Sequence, residues 1–308
     1  MDQLFDWAKH QGGVFTTRQA ARHGLDADAL TMAVDRALVR RLAQGVYAVG
    51  EAPKRAEERH LELCRGLLAR HPDAVLAGRS AVVALGLPVW DVPLATALMQ
   101  RPVQRQVRRT GAEIRPLDPD AVTLYTETGR VQQTVRAVAQ LAIDHGAARG
   151  VVAADAALRR GLMTVADVAE ELVRRAGHPR VQQLAALHRM CDATAESPGE
   201  SRLRVLLTGW GFVLEPQFVI RDGDRVVARV DFRVAGTRVL IEFDGLVKYR
   251  DGGADALARE KRREDRLRAL GWVVIRVTWR DLENPAKVLA LVRQAVAQDA
   301  VRRPSAAG

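Results

Sequence analysis

An alternating stretch near the C-terminal end places the strongest constraint on how this chain can fold. In residues 225–234 every even position is apolar, and most of the odd positions carry a charged side chain. This period of two predicts a strand with one buried face. Residues 238–245 continue as a second and more apolar strand, interrupted by Glu242 and Asp244. Because residues 235–237 supply a turn, the two strands are predicted to form a hairpin.

The hairpin brings two carboxylates together in either of two registers. With a four-residue loop Asp231 lies directly opposite Glu242, and with a two-residue loop the two are diagonal neighbours on the same face. Their Cβ atoms are then about 4.5–5.5 Å or about 7–8 Å apart. Because Mg2+ prefers oxygen ligands, these two residues are predicted to bind Mg2+ or Mn2+. The alternative is a set of solvated strand residues, which is costly for Glu242 and Asp244 inside an apolar strand.

A longer series of residues around the hairpin has the order of a known nuclease pattern. Its members are Glu200, Asp231, Phe232, Glu242, Asp244, Gly245, Arg262, Asp265, Leu270, Gly271, Trp272 and Val274. Over roughly residues 197–296 the chain therefore resembles the PD-(D/E)XK nuclease superfamily, and within it the domain related to very-short-patch-repair endonucleases. The resemblance implies an αβββαβ restriction-endonuclease-like domain that hydrolyses phosphodiester bonds with a divalent metal.

The resemblance also implies roles for individual residues. Asp231 and Glu242 become the metal ligands that polarise the scissile phosphate and activate a water. Asp244 holds a second ion or shapes the following turn. The chain departs from the pattern at this point, because the superfamily lysine two residues after the second acid is Asp244 here. Lys248 or Lys261 is the predicted replacement, since either amine can stabilise the charge that develops on phosphate.

Two further features near the hairpin each have two interpretations. Glu200 is an outer metal ligand or water-positioning acid, or it is an acid favoured by the positive end of the helix dipole. Residues 259–268 contain six basic and three acidic residues. They form either a solvated helix with internal ion pairs or, with Arg262, a face that follows a DNA backbone.

The basic excess of the chain is concentrated in the same region. The net charge of the 308 residues is +10, and residues 197–308 contain 21 basic and 15 acidic residues, against 6 and 5 in residues 1–50. An acidic site inside a basic domain suits a polyanionic substrate such as DNA. A high genomic GC content, which favours Arg over Lys, is an alternative source of part of this charge.

The first fifty residues have the pattern of three short helices and a hairpin. Thr16 or Thr17 is predicted to cap the second helix, and Asp26 or Asp28 the third. The plausible core positions of the hairpin are Leu38, Leu42, Val46 and Val49. These elements predict a winged helix-turn-helix. VFTTRQAARHGL and RRLAQGVYAVG resemble the N-terminal domain of the AbiEi family of abortive-infection antitoxins.

A winged helix suggests where DNA would be contacted. The third helix would enter the major groove with Arg36 near its end, and the wing would follow a phosphate backbone through Arg40 and Arg41. The alternative is a protein-interaction module, because a net charge of +1 over residues 1–50 is low for a DNA reader.

The predicted organisation is α/β and multidomain. A winged helix-turn-helix occupies residues 1–50, a mixed α/β middle domain that loosely resembles AbiEi-like proteins occupies residues 54–180, and the nuclease-like domain occupies residues 195–300. The segment 129–146 is predicted to be helical. The chain has no signal-peptide pattern, no long uncharged apolar run and only two distant cysteines, which together predict a cytoplasmic protein without a membrane segment.

Three functions compete at this stage. The first is a Mg2+-dependent DNA endonuclease in phage defence or DNA repair, directed by the N-terminal domain. The second is a non-catalytic DNA-binding regulator or antitoxin of an abortive-infection system. The third is an interaction module for a toxin or another defence protein. Asp231 and Glu242 favour the first function, and the missing lysine at position 244 favours the second.

Overall fold

The computed structural model describes residues 2–245 and 254–302, apart from the side chains of residue 2 and of residues 254–260. The chain divides into two compact units, Met1–Cys191 and Asp192–Gly308. The finer division into 1–50, 54–180 and 195–300 stays a prediction. In the part of the chain that the structure describes, no helix combines the length and apolar character needed to cross a membrane.

The first fifty residues form three helices and an antiparallel sheet of three strands. The elements are α1 (Asp2–Lys9), β1 (Val14–Thr16), α2 (Thr17–Arg22), α3 (Ala27–Asp35), β2 (Val39–Ala43) and β3 (Val46–Val49), with strand order β1-β3-β2. The side chains of Thr16 and Asp26 accept backbone N–H groups and cap α2 and α3, which satisfies donors that a helix start leaves unpaired. The arrangement is compatible with a winged helix.

The core of this region differs from the predicted set of Leu38, Leu42, Val46 and Val49: the buried residues of the hairpin are Val39, Ala43, Val46 and Ala48, whereas Leu42 and Val49 are half-buried. Val46 is fully buried as predicted, but Leu38 is 44% exposed. The reason is that β2 begins one residue later, at Val39, which pairs with Val49 and is buried. The alternation of the strand therefore points Val39 inward and leaves Leu38 in the preceding turn.

Helix α4 (Ala56–Arg70) packs directly on this three-stranded sheet. A Cβ built on Gly66 would lie 2.3 Å from Cγ1 of Val46, so only a residue without a side chain allows the helix to approach so closely. Leu63 and Leu67 of the same helix are buried. The first fifty residues and α4 therefore share a core within the first unit.

A six-stranded mixed sheet and five further helices complete the first unit. The strands are β4 (Val75–Leu76), β5 (Ala97–Arg101), β6 (Val107–Arg109), β7 (Ala112–Pro116), β8 (Thr123–Thr126) and β9 (Gly129–Gln132), in the order β6-β7-β5-β4-β9-β8. The helices are α5 (Gly78–Ala84), α6 (Thr134–His145), α7 (Ala147–Arg159), α8 (Val165–Arg174) and α9 (Val181–Met190).

The predicted helix over 129–146 is wrong at its start. Residues 129–132 form β9, which pairs with β8 in a hairpin, and the helix begins at Thr134. Gly129 has a φ of +132°, a conformation that suits a glycine in a tight turn and not the first residue of a helix.

The second unit is a four-stranded sheet with helices on both faces. Its elements are α10 (Pro198–Gly209), β10 (Leu214–Asp222), β11 (Arg225–Val234), β12 (Val239–Asp244), α11 (Ala254–Ala269), β13 (Val273–Thr278), α12 (Trp279–Leu282) and α13 (Pro285–Arg302). The strand order is β10-β11-β12-β13. The first two pairings are antiparallel, and β12 and β13 are parallel, which requires a crossover connection such as the one that contains α11.

The alternation predicted that β11 keeps its apolar residues on one face. In the structure they lie on both faces of the sheet. Val230 packs in the cluster that contains Leu240, whereas Phe232 packs in the cluster that contains Ile241. Because consecutive strand residues such as Leu240 and Ile241 point to opposite faces, the period of two is broken between Val230 and Phe232. The break falls at Asp231, and it marks the position of the candidate site.

Candidate functional site

The hairpin of β11 and β12 adopts the register that brings the two acids face to face. Phe232 pairs with Ile241 and Arg233 pairs with Leu240, so one further step places position 231 opposite position 242. Residues 235–238 then form the loop. This is the four-residue alternative, for which the Cβ atoms of opposite residues are about 4.5–5.5 Å apart.

Asp231 lies where the two strands stop pairing through their backbones. Its Oδ2 accepts the backbone N–H of Phe243 at 2.6 Å, so a carboxylate oxygen takes the place of a strand carbonyl. On the other side of Asp231, Gln217 of β10 has a φ of +49°, which is unusual for a residue with a side chain. Pro216 and Phe218 still pair with β11 around it. Strained backbone of this kind concentrates at functional sites.

Glu200 reaches the same region from the first turn of α10. It is 6% exposed, and its carboxylate accepts the backbone N–H of Glu196 and the hydroxyl of Ser197, both at 2.8 Å. Gln217 donates to it at 3.4 Å. The buried carboxylate is thus satisfied by a local capping arrangement, which supports the helix-start interpretation of this residue.

The packing of α10 fixes the distance between this helix and β12. A Cβ built on Gly199 would lie 2.0–2.5 Å from three ring atoms of Phe243. The ring of Phe243 also packs edge-on against Trp279 at 4.9 Å between centroids. Glu200 is therefore held beside the end of β12 that carries Glu242 and Asp244, as the order of residues in the sequence suggested.

The carboxylate of Glu242 is bound by arginine side chains, which occupy the oxygens that a metal ion would need. Both of its carboxylate oxygens accept N–H groups from Arg263 of α11, at 2.8 and 3.0 Å. Arg276, its neighbour on β13, lies 3.7 Å away and also pairs with Glu264 at 3.1 Å. A two-pronged pair of this kind is among the strongest charge-assisted contacts in proteins. Sequence reasoning missed Arg263, because only the fold brings the two residues together.

The other predicted catalytic residues that the structure describes lie on β12 and α11, the elements that carry Glu242 and Arg263. Asp244 is half-buried at the end of β12, next to Thr278 of β13. Lys261 and Arg262 are exposed on α11. The prediction for Lys248 concerns a residue outside the described part of the chain.

The arrangement of the described acids does not fit a Mg2+ site. One oxygen of Asp231 is occupied by a backbone N–H, and the charge of Glu242 is neutralised by Arg263. Among residues 2–245 and 254–302, no three His, Cys, Asp or Glu side chains form a group that could hold a metal ion. A magnesium ion requires several oxygens in near-octahedral geometry, so the Arg263 pair would have to open before one could bind.

The predicted DNA-binding arginines of the N-terminal region have different surroundings. Arg36 lies just beyond α3 and is exposed, as is Arg41 on β2. Arg40 is used within the unit: it donates to Glu62 of α4 at 2.5 and 3.0 Å, and to the carbonyl oxygens of Gly50 and Glu51. Arg40 therefore has a structural role within the unit, through a partner in α4 that was not visible from local spacing; its role as a wing contact stays a prediction.

Comparison with known proteins finds a similarity in the N-terminal region. Residues 2–50 match the family model described as "Transcriptional regulator, AbiEi antitoxin". Two uncharacterized proteins of Mycobacterium tuberculosis, MT2308 of strain CDC 1551 and Rv2248 of strain H37Rv, are each 27% identical to the chain over 146 residues. The match covers 47% of this chain and 53% of each relative, so the chain spans about half the length of these curated relatives.

Proposed function

We propose that this protein is a DNA-binding transcriptional regulator of the antitoxin type. The observation that carries the proposal is the match of residues 2–50 to the AbiEi antitoxin regulator model, over the segment in which three helices and an antiparallel hairpin form a compact motif. In a winged helix of this kind α3 reads the major groove and the hairpin contacts the backbone. A toxin is the partner protein that an antitoxin-type regulator would have.

Two exposed arginines are the proposed backbone contacts of this region. Arg36 follows the end of α3, and Arg41 lies on β2 of the wing. Neither is in an ion pair with a residue that the structure describes, so both charges are available to phosphates. Arg40 is left out, because Glu62 already neutralises it.

The proposal is tested by fluorescence anisotropy. A labelled duplex of random sequence is titrated with the full chain at several salt concentrations between about 50 and 200 mM. The double variant Arg36→Gln/Arg41→Gln is expected to bind more weakly and to lower the salt slope by about 0.9 for each lost contact. The control Arg159→Gln/Arg189→Gln removes two exposed arginines from α7 and α9 and should leave the slope unchanged. A wild-type chain that binds no duplex would contradict the proposal.

A Mg2+-dependent endonuclease is the second candidate, favoured by the opposite placement of Asp231 and Glu242. It requires the pair between Glu242 and Arg263 to open. If it is correct, Mg2+ should raise the melting temperature of the wild type, and plasmid nicking should depend on Mg2+ or Mn2+ and stop in EDTA. Asp231→Ala and Glu242→Ala should abolish both effects while retaining DNA affinity. Lys261→Ala should lose nicking alone.

The regulator proposal predicts the opposite set of results. The wild type should show no response of the melting temperature to Mg2+ and no cleavage of supercoiled, linear or single-stranded DNA. Duplex binding should persist in EDTA, since no contact of Arg36 or Arg41 with phosphate involves a metal. Metal-dependent nicking that Glu242→Ala abolishes would establish the nuclease in its place.

A further inference from the structure

The proposed recognition helix is poor in positive charge. Helix α3 contains Asp28 and Asp35 and no lysine or arginine. Residues 1–50 as a whole contain only one more basic than acidic residue. Because neutralised phosphates supply most of the affinity of DNA-binding proteins, a regulator built on this helix needs basic residues from another part of the chain.

An arginine-rich edge strand lies in the same compact unit. Strand β6 is at one end of the six-stranded sheet, and Arg105, Arg108 and Arg109 in and before it are all exposed. Residues 102–112 contain no acidic residue. Charged residues on an edge strand also protect it from pairing with other chains, and this simpler role is the one that the experiment below must exclude.

The turn that follows β6 touches the wing. A Cβ built on Gly111 would lie 3.1 Å from the Cβ of Ala43 and 3.3 Å from the carbonyl oxygen of Leu42, so the β6–β7 turn lies against the end of β2. Arg41 and Arg109 are each two residues from this contact. At about 3.3 Å per strand residue their Cα atoms are within roughly 20 Å, which is less than one duplex turn of about 34 Å.

Two carboxylates close to this surface are already paired. Glu62 is bound by Arg40. Glu113, the strand neighbour of Arg108, is bound by Arg115 and lies 3.4 Å from Arg79.

The exposed arginines, by contrast, retain their charge. In the part of the chain that the structure describes, no ion pair involves Arg41, Arg105, Arg108 or Arg109. The wing therefore carries one guanidinium group that no described carboxylate neutralises, and the edge strand with the residues before it carries three.

We infer that the wing and the β6 edge form one continuous surface that binds the sugar-phosphate backbone of duplex DNA. The inference rests on the proposed function, and it makes the middle sheet part of the DNA-binding site. The occupant is double-stranded DNA, because the four arginines complement a phosphate backbone in charge and the surface extends over less than one helical turn. In this arrangement α3 reads base edges, and the β6 edge supplies the affinity that α3 lacks.

The test compares three full-length triple variants with the wild type. Arg105→Gln/Arg108→Gln/Arg109→Gln removes the charge of the β6 edge, and the corresponding triple lysine variant keeps it. Arg159→Gln/Arg180→Gln/Arg189→Gln is the control, with Arg159 on α7, Arg180 just before α9 and Arg189 on α9. Each is titrated with a random-sequence duplex of about 30 base pairs, roughly three helical turns, across about 50–200 mM salt.

The expected result is a loss of affinity confined to the glutamine variant of β6. Its salt slope should fall by about 0.9 for each of the three contacts, and its affinity at 0.1 M salt by roughly tenfold or more. The lysine variant should keep most of the binding, because a point charge still attracts phosphate. Unchanged melting temperatures would confirm that the exposed edge is not needed for folding.

Several outcomes would overturn the inference. If the wild type and the β6 glutamine variant bind with equal affinity and slope, the arginines only protect the edge strand. An equal loss in the α7–α9 control would assign the effect to overall charge. Either result leaves the proposed function intact when Arg36→Gln/Arg41→Gln still weakens binding, whereas a wild type that binds no duplex rejects both.

Discussion

Arg263 neutralises the carboxylate of Glu242, and a metal ion could bind Glu242 only if this pair opened. Both side chains are half-buried, with 16% of Glu242 and 25% of Arg263 exposed, and two hydrogen bonds join them. We expect Arg263→Ala to lower the free energy of unfolding by about 1–2 kcal/mol, because a half-buried carboxylate loses its main partner. Urea denaturation measures the change.

The same helix provides a control for this substitution. Arg266 pairs with Asp222 at 2.7 Å, but the two side chains are 46% and 44% exposed. Exposed pairs contribute little, so Arg266→Ala should cost less than about 0.5 kcal/mol. Equal losses for Arg263→Ala and Arg266→Ala would mean that the Glu242 pair is no more than a surface contact.

Gly199 is the second residue on which the site depends. Because a Cβ at this position would enter the ring of Phe243, Gly199→Ala should destabilise the second unit by about 1–3 kcal/mol. Phe243→Leu shortens the obstructing side chain and should recover part of the loss in the double variant. Thermal melting of the four proteins measures this coupling. Additive effects of the two substitutions would show that the helix can move away from the strand.

At the scale of elements, the sequence predicted the features that depend on neighbouring residues in the chain. The caps at Thr16 and Asp26 and the hairpin of β11 and β12 all follow from short-range sequence signals. The change of face at Asp231 could not be predicted, because the regular alternation of the sequence does not signal it; it lies beside Gln217 of the neighbouring strand, which has a positive φ. Arg263 was missed for the same reason: helix-to-sheet packing, and not spacing, brings it to the site.

A buried histidine joins α4 to α5 and to the loop before β5, and makes the first unit sensitive to pH. His60 is 1% exposed, and its ring nitrogens lie 2.9 Å from the Ser80 hydroxyl and 2.6 Å from the carbonyl oxygen of Leu94. Burial lowers the pKa of His60 to about 4 from its ordinary 6.5. The folded state therefore binds the proton less readily than the unfolded state does.

The sign of the effect follows from this difference. The contribution of the neutral His60 to the free energy of unfolding is fully present above about pH 6.5 and is lost as the pH falls toward about 4. The total loss is on the order of 3 kcal/mol. Urea denaturation at several pH values should show this loss in the wild type, and His60→Gln should flatten the dependence on pH over that window. A wild type whose stability is constant between these values would contradict the buried neutral histidine.

At the scale of the whole molecule, the region with the largest excess of basic residues is not the region whose arginines lack carboxylate partners. Residues 197–308 have the larger excess of basic residues, yet on α11 Arg263, Arg266 and Arg268 are paired with Glu242, Asp222 and Glu264. The first unit has less excess charge, but its exposed arginines on the wing and on β6 have no carboxylate partner among the described residues. The proposed DNA surface therefore does not lie in the region with the largest excess of basic residues.

This distribution gives a prediction that separates the two candidate functions in the intact chain. Lys261 and Arg262 are the exposed basic residues near the acids of the second unit, and a nuclease would need them, or their neighbours, against the substrate backbone. If the regulator proposal holds, Lys261→Gln/Arg262→Gln should change the salt slope of duplex binding by less than about 0.5, whereas Arg36→Gln/Arg41→Gln should lower it by about 1.8. The reverse order of these two effects would place the bound DNA on the second unit, where only a substrate of the carboxylate site has a reason to lie.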